Sequence, residues 1–90
     1  WASGSREAIR GGVTTVLDMP NTSPPTLNAK AVEEKLARAA ANSVTNFGVW
    51  VGASASSIPL VSDLWDSGQV CGTKVFMGNS TGDLEVTPEV

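Results

Sequence analysis

Three apolar, β-branched runs, residues 13–19, 46–52 and 70–77, are separated by two stretches long enough to hold a helix each. Strands joined by helix-length connections pair in parallel, because a tight hairpin cannot return the chain to the same end of the sheet. This spacing sets the fold class as α/β, with three parallel strands and intervening helices. Two architectures carry that pattern, a doubly wound sheet or part of a (β/α)8 TIM barrel, and both place their chemistry at the carboxyl ends of the strands.

Local signals refine the order of elements. Residues 3–10 read as a helix end with Trp1, Ala2 and Ile9 turned inward, closed by Gly11-Gly12, where a left-handed residue costs glycine least. Val13-Thr14-Thr15-Val16-Leu17-Asp18-Met19 suits a strand covered on both faces, and Pro20 stops it. Residues 20–28 hold three prolines and no helical period, so they form a constrained loop. Asn28 is placed to cap a helix over residues 29–41, with Leu27 and Val32 at the spacing of a hydrophobic staple. Val32, Leu36, Ala39 and Ala40 make its apolar stripe; Lys30, Glu33, Glu34 and Arg38 lie away from it, and Glu34 and Arg38 form an i,i+4 pair.

In the second strand, residues 46–52, Phe47, Val49 and Val51 point to one side and Trp50 to the other. Residues 56–66 form a weaker helix with Ile58, Val61, Leu64 and Trp65 at helical spacing, Pro59 in its first turn and Ser67-Gly68 after its end. The third strand spans residues 70–77 and runs into a loop over residues 78–83. Thr87-Pro88-Glu89 has the form of a further helix start, and the chain opens on Trp1 rather than Met. These ends lead us to expect that residues 1–90 are an internal piece of a longer protein.

Composition narrows the function. Six basic and nine acidic residues give a net charge of −3, which argues against a nucleic-acid binder or a partner for anionic membranes. No apolar run approaches the roughly 18 residues of a membrane span. The chain has no histidine, so its own residues lack the usual general base and the commonest zinc ligand. A single cysteine, Cys71, excludes an internal disulfide and fits a reducing, cytoplasmic compartment. The N-x-[ST] matches at Asn21 and Asn79 are then chance.

Few residues remain that could carry chemistry. A G-x-G-x-x-G fingerprint is absent, and the spacing from Gly68 to Lys74 does not fit a phosphate loop. Asp63 and Asp66, like Glu33 and Glu34, read as solvated surface charge. Asp18 closes the first strand, where it serves either catalysis or the hydrogen bonding of the proline-rich loop. Lys74 sits inside an apolar strand, where an uncompensated ammonium is costly. Desolvation favours the neutral form of an amine, and a neutral amine can act as nucleophile, base or carbamate former. Pairing with a buried carboxylate, or snorkelling out of the strand end, would serve Lys74 equally well.

The run Gly11-Gly12-Val13-Thr14-Thr15-Val16-Leu17-Asp18-Met19-Pro20-Asn21-Thr22, followed by Pro24-Pro25-Thr26, resembles the stretch after the metal-binding strand of dihydroorotases, in the cyclic amidohydrolase branch of the amidohydrolase superfamily. Cys71-Gly72-Thr73-Lys74-Val75-Phe76-Met77-Gly78-Asn79-Ser80-Thr81-Gly82 is similar to that family's metal-bridging lysine segment. Hydantoinases, dihydropyrimidinases and allantoinases share the first part of the first block, whereas Met19-Pro20-Asn21-Thr22 favours dihydroorotase.

The resemblance implies a TIM-barrel enzyme with one or two zinc ions, in which Lys74 is carboxylated on Nζ and bridges two metals. It further implies that Asn21 contacts the substrate's carboxylate and that Thr81, with Ser80, belongs to a loop closing over substrate. An Asx-type turn is the competing role for Asn21. The implied reaction is the reversible hydrolysis of dihydroorotate to N-carbamoyl-aspartate in pyrimidine synthesis, by a cytoplasmic, homo-oligomeric enzyme. The implied histidines lie outside this chain, so the isolated fragment is expected to be inactive. Two alternatives stand beside this reading: another cyclic amidohydrolase, and a non-catalytic dihydroorotase-like scaffold subunit.

Overall fold

The computed structural model describes residues 1–77. The elements run α1 (Ala2–Arg10), β1 (Thr15–Asp18), α2 (Ala29–Asn42), β2 (Asn46–Gly52), a 3-10 turn (Ile58–Leu60), α3 (Val61–Asp66) and β3 (Gly72–Lys74). The three strands are parallel in the order β1-β2-β3. Thr81 and Ser80, the expected loop 78–83, and the expected helix start at Thr87-Pro88-Glu89 lie outside the described residues.

α2 forms where its cap predicts. Asn28 is extended, and its side chain accepts a hydrogen bond from the Ala31 N–H at 2.8 Å, satisfying one donor of the first turn. Val32 and Ala39 are fully buried, with Leu36 packed beside them, but Ala40 faces solvent. The apolar stripe is therefore narrower than the sequence suggests. Glu34 approaches Lys30, at 4.0 Å, rather than Arg38. Both orders are possible on an exposed helix face, where neither pair contributes much.

The core lies on one face of the sheet. Val49 and Val51 of β2 are fully buried against Val32 of α2, Leu64 of α3 and Val70, with Trp1 and Leu36 packed around them. Burying each such side chain contributes about 1.5–3 kcal/mol. Trp1 meets Phe47 edge-on, with ring centroids 5.8 Å apart. Ser5, buried in α1, accepts the Val44 N–H on its hydroxyl and so ties α1 to the lead-in of β2.

Side chains alternate along β2, so Gly48, Trp50 and Gly52 lie on the other face. Register sets Leu17 beside Gly48, Gly72 beside Trp50, and Lys74 beside Gly52. Close approach explains two glycines: a Cβ on Gly48 would fall 2.8 Å from Leu17 Cδ2, and one on Gly72 would fall 2.6 Å from the Trp50 ring. No described helix covers this face, and Leu17 is half exposed. Within the described residues the first strand is covered on one side only, and its regular part is Thr15–Asp18 rather than residues 13–19.

Other differences are local to the remaining elements. Ile9 is exposed, and α1 turns Ser5 inward instead. Gly11 keeps a right-handed backbone, so it is Gly12, at φ +88°, that takes the left-handed turn. Pro59 lies in the 3-10 turn ahead of α3, which leaves Ile58 and Trp65 exposed and Leu64 as the buried anchor. The strand expected over residues 70–77 is regular only across Gly72–Lys74, with a single further bridge at Phe76.

Candidate functional site

The carboxyl ends of the three strands are laced together by backbone hydrogen bonds. Pro20, fully buried, turns its carbonyl toward the loop that follows β1 and accepts both the Thr22 N–H at 2.8 Å and the Thr26 N–H at 3.0 Å. Thr26, also fully buried, accepts the Gly52 N–H on its carbonyl at 2.7 Å. Ala53 then donates its N–H to the Lys74 carbonyl at 2.8 Å. The proline-rich loop, the end of β2 and the end of β3 therefore form one connected edge.

Asn21 sits at the exposed tip of this loop. Among the described residues its side chain makes no hydrogen bond, so the local turn is held without it. Backbone bonds to Pro20 and the Thr22 hydroxyl, which donates to the Pro24 carbonyl at 2.8 Å, do that work instead. The Asn21 amide is left to face solvent.

Lys74 ends β3 on the Trp50 face. It is half-buried, and its ammonium lies 5.4 Å from the centroid of the Phe76 ring. No carboxylate pairs with it among the described residues, which removes the ion-paired alternative within that part of the chain.

Asp18 has a definite partner. Its Oδ2 lies 2.8 Å from Nζ of Lys35 on α2, and the same ammonium donates to the Met19 carbonyl at 3.0 Å. Asp18 thus serves the architecture of the loop, and its counter-charge comes from a side chain rather than from loop N–H groups. Sequence reasoning missed Lys35. The available signal was its position next to the stripe of Val32, Leu36 and Ala39, which keeps its stem against the sheet.

At the end of β2, Ser54 and Ser57 are buried and bonded to each other and to the backbone. The Ser57 hydroxyl donates to the Gly52 carbonyl and accepts the Ser54 N–H at 2.7 Å. These hydroxyls cap the strand and have no spare capacity for a ligand.

Cys71 precedes β3. The residue is exposed overall, yet its Sγ lies 3.2 Å from the Val49 carbonyl, to which it donates. Burial of the thiol raises its pKa above the usual range, partly opposed by a backbone hydrogen bond.

Two clefts flank this edge. One of about 380 Å³ lies between α1 and β1, against Trp1, Ser5, Leu17 and Asp18. The other, about 180 Å³, lies between the proline-rich loop and α2, against Thr22, Thr26, Lys35 and Arg38. Among the described residues no three His, Cys, Asp or Glu side chains converge. The one candidate ligand, Lys74, does not make a zinc centre by itself. No helix is long and apolar enough to cross a membrane among the described residues.

Parallel strands joined by helices, with polar residues gathered along the carboxyl edge, define an α/β protein built of successive β/α units. No family model matches the chain. Its relatives are nonetheless clear: it is 49% identical over 86 residues to a dihydroorotase of Halobacterium salinarum and 38% identical over 89 residues to one of Methanosarcina mazei. An allantoinase of Deinococcus radiodurans is 37% identical over 81 residues. The chain is homologous to dihydroorotases over 96% of its length against the first of these, and it spans about a fifth of the length of the relatives it matches.

Proposed function

We propose that the chain is part of a zinc-dependent dihydroorotase, which opens and closes the cyclic amide of dihydroorotate in pyrimidine synthesis. The observation that carries this reading is the connected edge: Lys74 and the Met19-Pro20-Asn21-Thr22 loop are tied into one hydrogen-bonded frame through Thr26, Gly52 and Ala53. Homology at 49% identity runs through both segments.

In this reading Asn21 presents its unpaired amide to the carboxylate of the substrate, a charge-assisted contact that orients the ring. Lys74, carboxylated on Nζ, would be one ligand to one or two zinc ions. Its position beside Gly52, on the face no described helix covers, leaves room for groups from elsewhere in the protein. Zinc, when bound, would polarise the amide carbonyl and lower the pKa of water. The remaining ligands would come from elsewhere in the protein. Thr81 would add a hydroxyl contact from the following loop. The whole protein is read as a cytoplasmic homo-oligomer with a small-molecule substrate.

The allantoinase relatives favour a second reading, a different cyclic amide as substrate. Assaying the full-length protein with dihydroorotate, allantoin and hydantoin separates the two. Turnover of dihydroorotate alone is the expected result, and turnover of allantoin without dihydroorotate would replace the first reading by the second.

A further inference from the structure

Among the described lysines, Lys35 alone has an ammonium that joins the last residue of β1 to the residue after it. Its side chain is 12% exposed while that of Asp18 is 38% exposed, so the helix side of the pair is the more deeply set. The bond to Asp18 Oδ2, at 2.8 Å, holds the last residue of β1; the bond to the Met19 carbonyl, at 3.0 Å, holds the residue after it. Pro20 follows at once, and its carbonyl anchors both Thr22 and Thr26. Asn21 lies between Pro20 and the first of them, Thr22.

We propose that Lys35 is a positioning residue: by clamping Asp18 and Met19 to α2 it fixes the start of the proline-rich loop and thereby the placement of Asn21 relative to the ends of β2 and β3. This rests on the reading of Asn21 as a substrate contact. A rigid helix supplies the clamp, and the loop that carries Asn21 has no regular secondary structure of its own. Loop-borne contacts are accurate only when the supporting shell holds them, since a small displacement loses much of a hydrogen bond's value. A methionine at position 35 would keep the buried stem but release the Met19 carbonyl and leave Asp18 without its counter-charge. An arginine would keep both the charge and the donors.

The test uses the full-length protein with Lys35→Met and Lys35→Arg, assayed with dihydroorotate, together with amide hydrogen exchange at Thr22 and Thr26. The Met variant is expected to raise KM about tenfold with kcat within about threefold, a split that general destabilisation does not produce, and the Arg variant to recover most of it. Exchange at Thr22 and Thr26 should quicken about tenfold in the Met variant. Unchanged exchange overturns the clamp; faster exchange with unchanged KM, or a loss confined to kcat, overturns the positioning of Asn21. Should the Met variant fail to fold, Asp18→Asn, which leaves the Met19 contact in place, is measured by the same two readouts, and no change in either overturns the proposal. If the unaltered protein does not turn over dihydroorotate, the functional reading fails by itself, and the exchange experiment still decides the clamp.

Discussion

Gly72 stands directly beneath Trp50: the two are register partners across β2 and β3, and the indole covers the position a side chain on Gly72 would occupy. The contact lies on the face where Lys74 emerges two residues later. The opposite face is fixed by the valines of β2 against α2 and α3. The sheet therefore has a packed side that supplies stability and a side on which single residues are placed by close approach.

Gly72→Ala should consequently destabilise the full-length protein by about 1–3 kcal/mol, the usual cost of forcing an extra carbon into a close contact. The Cβ would lie 2.6 Å from the ring, so the indole must move, and Trp50 fluorescence should shift with it. Combining the change with Trp50→Leu should recover part of the loss in a urea melt. If the double variant is as unstable as the sum of the two single ones, the contact is not the cause.

The β/α order was legible because the cues are local: β-branched runs, the Asn28 cap, and Gly68, which takes the left-handed backbone at φ +75° after α3. Which faces are covered was not legible. The apolar run of residues 13–19 reads as a strand buried on both sides, yet Val13 and Leu17 stand half exposed among the described residues, since burial depends on what packs against an edge strand. Lys74 and Asn21 stood out, one as a charge inside an apolar strand and the other within a distinctive motif. Lys35 did not, because a lysine on an amphipathic helix resembles any solvated charge until the partner from another element is seen. The preference for Lys30 over Arg38 as the neighbour of Glu34 is equally invisible, since both spacings are permitted.

Cys71 gives a prediction with a sign. Its thiol pKa is raised by burial, so the folded protein holds the proton to higher pH than the unfolded chain does. The contribution to stability is then complete below the unfolded thiol's pKa and is lost as pH rises through the folded one. Alkylation by iodoacetamide should reach half its limiting rate at a higher pH in the folded full-length protein than in urea. Coincident profiles would show that burial does not raise the pKa of this thiol.

Asn21→Ala should separate binding from folding. Its side chain makes no hydrogen bond among the described residues, and the loop is held by Pro20, Thr22 and Thr26, so the melting temperature should hold within about 1 °C, as for a surface substitution. The KM for dihydroorotate in the full-length protein should rise about tenfold or more, the worth of one hydrogen bond to a charged group, with a smaller effect on kcat. A fall in melting temperature with unchanged KM would return Asn21 to a structural role.

Lys74 admits the sharpest contrast. The ammonium's described contact is the Phe76 ring at 5.4 Å, so Lys74→Ala should cost only about 0.5–1 kcal/mol of stability. If the amine is carboxylated and ligates zinc in the intact protein, the same change should lower the zinc bound per chain and reduce turnover of dihydroorotate by more than about a hundredfold. Metal content is read by elemental analysis and the fold by circular dichroism, so loss of ligand and loss of structure are measured apart. Added bicarbonate should not restore the Ala variant, since there is no amine to carboxylate, whereas it should raise the zinc content of unaltered protein prepared free of carbon dioxide. Full zinc content and full activity in Lys74→Ala would remove the lysine from the site and leave it as a strand-end residue resting on Phe76.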